Sequence, residues 1–369
     1  MNEKLWELDY RRLAEDIKLW GMELGFQQVG IGSIELDEDE EHLEKWLAAD
    51  RYGEMEYMVH HGRKRTRPSE LIPGTRCIIS ARMDYLPADG MQAAKKILAD
   101  PRQAYIARYA LGKDYHKLLR RRLARLVQRI REAVGDKDKM LPMRAFTGSG
   151  PVLEKGLARN GGLGWIGKNT TLIHRQAGSW SLLGEIYINL PLPTDEPNHR
   201  HDKGHCGTCQ TCIAACPTGA IVAPWQLDAR RCISYLTVEY RGSIPLALRS
   251  KMGNRIFGCD DCQLVCPWNR FAKVSKEPGF LPKNGLDGPK LVKLFQWSET
   301  EFTTRTAGSP LRRMGYLCWL RNIAVAMGNA PRSTQMIATL ERQSAHPSPL
   351  VAEHVAWALD RHRGGVRGR

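Results

Sequence analysis

Apolar residues recur along this chain with two different rhythms, and the change between them marks its parts. From Tyr115 to Val134, the residues Leu119, Leu123, Leu126, Ile130 and Ala133 return at steps of four and three, which predicts one helix with a buried stripe. The opposite face carries Arg120, Arg121, Arg122, Arg125, Arg129 and Arg131. A solvated face is the first reading of those arginines, and phosphate contact is the second. Residues 5–24 are amphipathic in the same way. TRCIISARMDY (75–85) follows the Pro73-Gly74 turn and reads as a short strand. PVLEKGLAR (151–159) is helix-like and GGLGWIGKN (161–169) is a glycine loop. TTLIH, the turn RQAG and SWSLLGEIYINL then predict a β-hairpin.

The polar, proline-rich stretch PLPTDEPNHRHDKGH (191–205) interrupts the pattern, and KEPGFLPKNGLDGPK (276–290) interrupts it again. Three regions are therefore expected: 1–195, 196–275 and 276–369. In the last, LRRMGYLCWLRNIAVAMGN and PLVAEHVAWALDR carry small and aliphatic residues at helical spacing, as paired-helix HEAT-like repeats do. The tail RHRGGVRGR is basic. No apolar run approaches the ~20 residues of a membrane span. The first twenty residues hold neither a signal-peptide core nor a twin-arginine signal, so the expected compartment is the cytoplasm.

Charge changes this picture. Residues 1–50 carry 14 acidic and 5 basic side chains, a net of −9, so the other 319 residues carry +24. That balance favours a polyanionic partner such as nucleic acid, with a merely solvated surface as the alternative.

The cysteines carry the chemistry. Eight of the ten lie between Cys206 and Cys266, and such crowding points to metal binding rather than disulfides. Cys77 and Cys318 stand apart and are expected in the core. CGTCQTCIAACP spaces Cys206, Cys209, Cys212 and Cys216-Pro217 as the full bacterial 4Fe–4S motif does. CDDCQLVCPWN supplies Cys259, Cys262 and Cys266-Pro267 but has Ile256 where a further cysteine would stand. In such motifs the last cysteine ligates the neighbouring cube. One cluster then takes Cys206, Cys209, Cys212 and Cys266, and the other takes Cys216, Cys259 and Cys262. Cys232, the only cysteine of the region left unassigned, completes the second. A zinc ribbon would use four cysteines and leave four without purpose. His199, His201 and His205 read as part of a polar linker.

Two apparent cofactor motifs fail on context. Gly162-Leu-Gly164-Trp-Ile-Gly167 matches the dinucleotide fingerprint, but a helix-like segment precedes it and strand-like sequence follows, the reverse of what that fold requires. The loop glycines beside Lys168, Asn169, Thr170 and Thr171 remain able to hold a large polar cofactor. Asp114-x-His116 is similar to the cobalamin motif D-x-H-x-x-G, yet Leu119 occupies the glycine position.

Taken in order, the motifs resemble those of the epoxyqueuosine reductase family. The resemblance is carried by RTRPSELIPGT (65–75), RYALGKDYH (108–116), SGPVLEK (149–155), GLGWIGKNT (162–170), AGSW (177–180), LGEI (183–186), the eight cysteines, DARRCISYLTVE (228–239) and MGNRIFGCDDCQLVCPWNR (252–270). It implies an α/β cobalamin-binding domain of nitroreductase or corrinoid-processing type, a ferredoxin-like two-cluster module, and a HEAT-like C-terminal region that grips tRNA. It implies reduction of epoxyqueuosine to queuosine at the tRNA wobble position, with cobalamin, two 4Fe–4S clusters, an outside electron donor and a monomeric chain. Carried over by motif, the cobalamin contacts are Arg65, Tyr109, Lys155, Lys168, Thr170 and Ser234. The family motif V/T-Asp-S/T-G/A-P places its proton-donor aspartate where this chain has Gly148, so turnover is expected to be impaired unless water or another acid, such as Asp114, substitutes. Two rival readings are a corrinoid-dependent reductive dehalogenase and a non-catalytic electron-transfer or tRNA-binding protein.

Overall fold

A computed structural model describes residues 8–195 and 205–364. Four strands make the central sheet: β1 (Gln28–Gly32), β2 (Cys77–Asp84), β3 (Met143–Phe146) and β4 (Ser181–Ile188). Their order is β1-β2-β4-β3, and every neighbouring pair is antiparallel. The domain is thus α/β in content without being a parallel, doubly wound sheet, which agrees with the failed dinucleotide fingerprint. Helices around the sheet include α1 (Tyr10–Glu23), α2 (Asp37–Ala48), α3 (Tyr115–Ala133) and α4 (Glu154–Asn160).

Strand side chains alternate between the two faces. Ile79, Ala81 and Met83 of β2 share a core with Leu13 and Ile17 of α1 and with the α3 stripe. Ile78 shares the other face with Phe146, Tyr187 and Leu157 of α4. With both faces covered, all eight residues of β2 are buried. A close approach seats α4: a Cβ at Gly30 would lie 1.9 Å from the Gly161 carbonyl oxygen.

The amphipathic helices start at their caps. Asp9 accepts the Arg11 and Arg12 N–H groups, so α1 begins at Tyr10, and residues 1–7 lie outside the described residues. Asp114 caps α3 by accepting the His116 N–H. Leu119, Leu123, Leu126 and Ile130 are buried as the stripe requires. Ala133 is exposed and Val134, just past the helix end, takes the last core position. The arginine face is only partly solvated: Arg122 pairs with Glu277, Arg129 with Glu23 and Arg131 with Asp136.

The hairpin expected over 170–190 is replaced by another pairing. Leu172–Ile173 pairs back onto Trp165–Ile166, and β4 lies between β2 and β3, with a lone His174–Gly178 bridge at its approach. The reason lies in its composition, since LLGEIYI is apolar on both faces and suits a central strand. The linker stretch also starts in ordered contact, with Asp195 accepting the Ile31 N–H at 2.9 Å and pairing with Lys18. His199, His201 and the tail residues 365–369 lie outside the described residues.

The C-terminal region is helical, dominated by α5 (Tyr316–Asn329) packed on α6 (Pro349–Arg363). It is no separate body, because its core continues through Ile106, Leu111, Ile256 and Phe257. Two fully buried side chains of α5 fix the junction. Arg321 donates to the carbonyls of Leu236, Tyr240 and Gly242 at 2.7–2.9 Å. Asn322 donates to those of Thr237 and Ile256 at 3.0 and 2.9 Å. Among the described residues no helix is long and apolar enough to cross a membrane.

Replacing Arg321 with Met strips three buried carbonyls of their donor, and the expected loss is about 2–4 kcal/mol of stability. Thermal unfolding followed by circular dichroism should show a lowered midpoint; an unchanged midpoint would mean that this junction is not held through Arg321.

Candidate functional site

The eight crowded cysteines are all free thiols, half-buried in two adjoining groups. Cys206, Cys209, Cys212 and Cys266 line one cavity of about 90 Å³. Burial and the neighbouring Cys206, Cys266 and Cys209 push the Cys212 thiol up. In the second group, burial and then Cys232, Asp260, Cys212 and Cys216 push Cys262 up. Cys259 and Cys232 flank one small core built on Ile233, Leu236 and Met252. Among the described residues no three Cys, His, Asp or Glu side chains converge to hold a single metal ion. Tetrahedral zinc would draw its sulfurs to about 2.3 Å from the metal. Thiols spread around a cavity suit an iron–sulfur cube instead.

Other elements hold these loops in place. The glycine loop is the tip of the Trp165–Ile173 hairpin, and it points at the cysteines. Lys168 Nζ donates to the Gly207 and Cys209 carbonyls at 2.6 and 2.9 Å, and Asn169 Nδ2 donates to the Cys262 carbonyl at 3.3 Å. On the second motif, Asn269 Oδ1 accepts the Ser179 N–H at 2.7 Å and Gln263 donates to the Ser179 carbonyl at 2.9 Å. Asp260, between two cysteines, accepts from the Tyr105 hydroxyl and the Arg108 N–H.

Beside the cysteines lie two further cavities. The larger, about 400 Å³, is walled by α2, α4 and the cluster region, with Trp46, Arg65, Glu154, Lys155, Thr170 and Trp225 in its lining. The smaller, about 220 Å³, takes Tyr85, Tyr109, Tyr115 and Gln263, again with Lys155. Lys155 stands in both walls, its Nζ donating to the Thr170 carbonyl at 2.7 Å. Crowding by the two walls lowers its pKa although the side chain stays exposed, opposed by the charges of Glu154 and Cys262. Several polar atoms under this wall are buried without a partner: Arg65 Nε, Ser80 Oγ, both oxygens of Glu185 and the Tyr187 hydroxyl. Native interiors seldom tolerate such a concentration without a functional reason.

The sequence-derived contacts therefore divide. Arg65, Lys155 and Thr170 meet in the larger cavity and Tyr109 lines the smaller. Lys168 is turned to the cysteine loops. Ser234 lies two residues past Cys232, where its backbone N–H bonds that thiol, and it is absent from both linings. Gly148 sits at φ +60°, and a Cβ there would lie 2.4 Å from His116 Nε2 and 3.0 Å from the Tyr115 hydroxyl. Asp114-x-His116 is a helix cap: Asp114 Oδ1 also lies 2.8 Å from His116 Nδ1. Glu154 and Glu185 were given no role by the sequence reading. The signal was a glutamate inside an otherwise apolar strand, LLGEIYI.

Residues 205–269 match the family described as 4Fe-4S double cluster binding domain, and residues 65–149 match Epoxyqueuosine reductase QueG, DUF1730. An epoxyqueuosine reductase of Pseudomonas aeruginosa is 56% identical over 354 residues, covering 96% of each chain. The chain belongs to the epoxyqueuosine reductase family. The Escherichia coli K12 member is 51% identical over 95% of this chain and 90% of its own. An epoxyqueuosine reductase solved with an epoxyqueuosine-modified tRNA-Tyr stem loop has a TM-score of 0.83 at 27% identity, covering 95% of this chain and 90% of its own. The Bacillus subtilis enzyme, solved with an aspartate catalytic loop swung out of its active site, has a TM-score of 0.81 at 27% identity over the same shares. The family is one of oxidoreductases, and the double-cluster domain supplies this member with two 4Fe–4S clusters.

Lys168→Met removes the ammonium that clamps the first cysteine loop. Iron per purified chain should fall by about half as one of two cubes is lost. Full iron content in that variant would show that the clamp is dispensable.

Proposed function

We propose that this chain reduces epoxyqueuosine to queuosine in tRNA, with cobalamin in the adjoining cavities and electrons relayed by the two clusters. The observation that carries the reading is Lys155, which stands in both cavity walls and is near enough to Cys262 to feel its charge. A cofactor lodged there would lie beside the second group of cysteines. The first cube is assigned to Cys206, Cys209, Cys212 and Cys266, and the second to Cys216, Cys232, Cys259 and Cys262.

The wall chemistry fits cobalamin. Amide and phosphate groups at the rim of the ring need donors, and Arg65 with its unpartnered Nε, Lys155 and Thr170 supply them. Tyr109 closes the smaller cavity. Lys168 and Ser234 act instead by holding the cysteine loops. Cobalamin supplies, when bound, a cobalt centre reactive at low potential. His116 lines neither cavity, and Leu119 stands where the D-x-H-x-x-G motif has glycine, so it is not assigned as a cobalt ligand. The +24 charge borne outside the first fifty residues suits a tRNA partner.

Gly148 stands at the position of the motif's proton-donor aspartate. A positioned general acid is worth about 10²–10⁴-fold in rate, and this chain lacks that one. Cofactor and tRNA binding should survive while turnover is slow. Single-turnover formation of queuosine should therefore rise in Gly148→Asp, by at most about 10²-fold and by less to the extent that another acid already serves, once the loop shifts to clear His116. Equal rates in the two forms would refute the role given to position 148.

A further inference from the structure

The sheet face beneath α4 holds a carboxyl pair with no part in the chemistry so far. Glu185 lies in the middle of β4 with no exposed surface, and neither of its oxygens has a hydrogen-bond partner. Its register partner Ser80 has an unpartnered hydroxyl, as does Tyr187 two residues along. Burial, reinforced by the charge of Glu154, pushes the Glu185 carboxyl well above its ordinary range, which favours its protonated form.

Glu154 opens α4 and faces the larger cavity. Its Oε1 accepts the Gly148 N–H, which leaves Oε2 to carry a proton. Burial pushes this carboxyl up to about 7, against the lowering effect of the Gly148 N–H and of Lys155. The groups facing it are Lys155 on its own helix, Glu185 and Tyr187 on β4, Tyr115 on α3, and Arg65, His42 and Asp39 across the cavity, Asp39 being paired with Arg159. Asp114 is no substitute. Burial would raise it, but its hydrogen bonds to His116, and the charges of His116 and Arg313, hold it below the ordinary range and therefore ionised.

We propose that Glu154 is the acid that protonates the departing epoxide oxygen in this chain, with the buried Glu185 behind it as a positioning residue that acts through its charge. The inference rests on the proposed function, with the epoxide-bearing nucleoside brought against cobalamin at the mouth of the cavity that Glu154 lines. Both C–O bonds to the epoxide oxygen break, a carbon–carbon double bond forms, and the oxygen leaves as water. The step consumes two electrons, delivered through the clusters, and two protons. Glu154 gives the first, and, refilled from solvent on its cavity side, gives the second. The site on this chain is thus displaced from position 148 to the side chain that grips the backbone of that position.

The test compares holoenzyme carrying wild-type sequence, Glu154→Gln, Glu154→Asp and Glu185→Gln. Single-turnover queuosine formation is followed from pH 5.5 to 9 with pH-difference infrared spectra of the same samples, at roughly half-unit steps around the expected transition near 7. The acid is the reactive form, so the wild-type rate should hold below about pH 7 and fall as pH rises through it, with a carboxylic-acid band lost over the same range. Glu154→Gln should be slower by about 10²-fold or more, flat with pH and without that band, while still binding corrinoid and tRNA. Glu154→Asp should recover part of the rate, and Glu185→Gln should move the pH of the fall. A Glu154→Gln form with the wild-type rate and pH profile overturns the proposal alone. No product from wild type or from Gly148→Asp, with corrinoid and tRNA bound, overturns the functional reading beneath it as well.

Discussion

Asp260 is the contact on which the arrangement of the site depends. It lies inside the second cysteine motif, is buried, and takes the Tyr105 hydroxyl at 2.6 Å and the Arg108 N–H at 2.8 Å. The two-residue strand Tyr105–Ile106 pairs in parallel with Arg255–Phe257, so carboxylate and ladder together dock the cysteine region on the sheet domain. Arg108 continues the tie by pairing with Asp287 at 2.6 Å, beyond the cysteines. A buried carboxylate removed from such partners would be left unpaired at high cost, so this docking has one favoured geometry. The two larger cavities lie beside this docking, sharing α4 residue Lys155 and the Trp165–Ile173 hairpin in their walls.

Periodicity and spacing carried much of this into the sequence. The α3 stripe, the strand at 77–84, the helix after Pro151 and the C-terminal helices are local patterns, fixed by which residues neighbour one another along the chain. The double-cluster region was legible too, because eight crowded cysteines in two motifs of this spacing suit two cubes. Legibility failed where partners are distant in sequence. The strand 181–188 was read as half of a hairpin because TTLIH and RQAG stand next to it, yet its two apolar faces suited the centre of the sheet. Lys168 was read as a cofactor contact because of the glycines around it. Its true partners, the carbonyls of Gly207 and Cys209, are some forty residues away and invisible to a local motif.

The carboxyl pair illustrates the same limit from another side. Glu185 in LLGEIYI violates the pattern of its strand, and departures of that kind tend to mark function. What the sequence could not supply was the second carboxyl, which arrives from α4, or the Gly148 N–H that orients it. The backbone of the loop that lacks the family's aspartate instead holds the glutamate. On the proposal made for Glu154, position and chemistry are separated in this member: the loop places a donor N–H where the motif expects an acid, and the helix that follows supplies the acid.

The central claim is that the cavity walled by Arg65, Glu154 and Lys155 serves epoxide reduction on tRNA through a corrinoid fed by the clusters. The most direct measurement incubates the purified, cluster-loaded chain anaerobically with epoxyqueuosine-containing tRNA and a strong reductant, with and without cobalamin, and reads the nucleosides by mass spectrometry. The account predicts queuosine only when cobalamin is present, formed slowly. Epoxyqueuosine left intact despite full clusters and bound corrinoid, or queuosine formed equally without cobalamin, would contradict it.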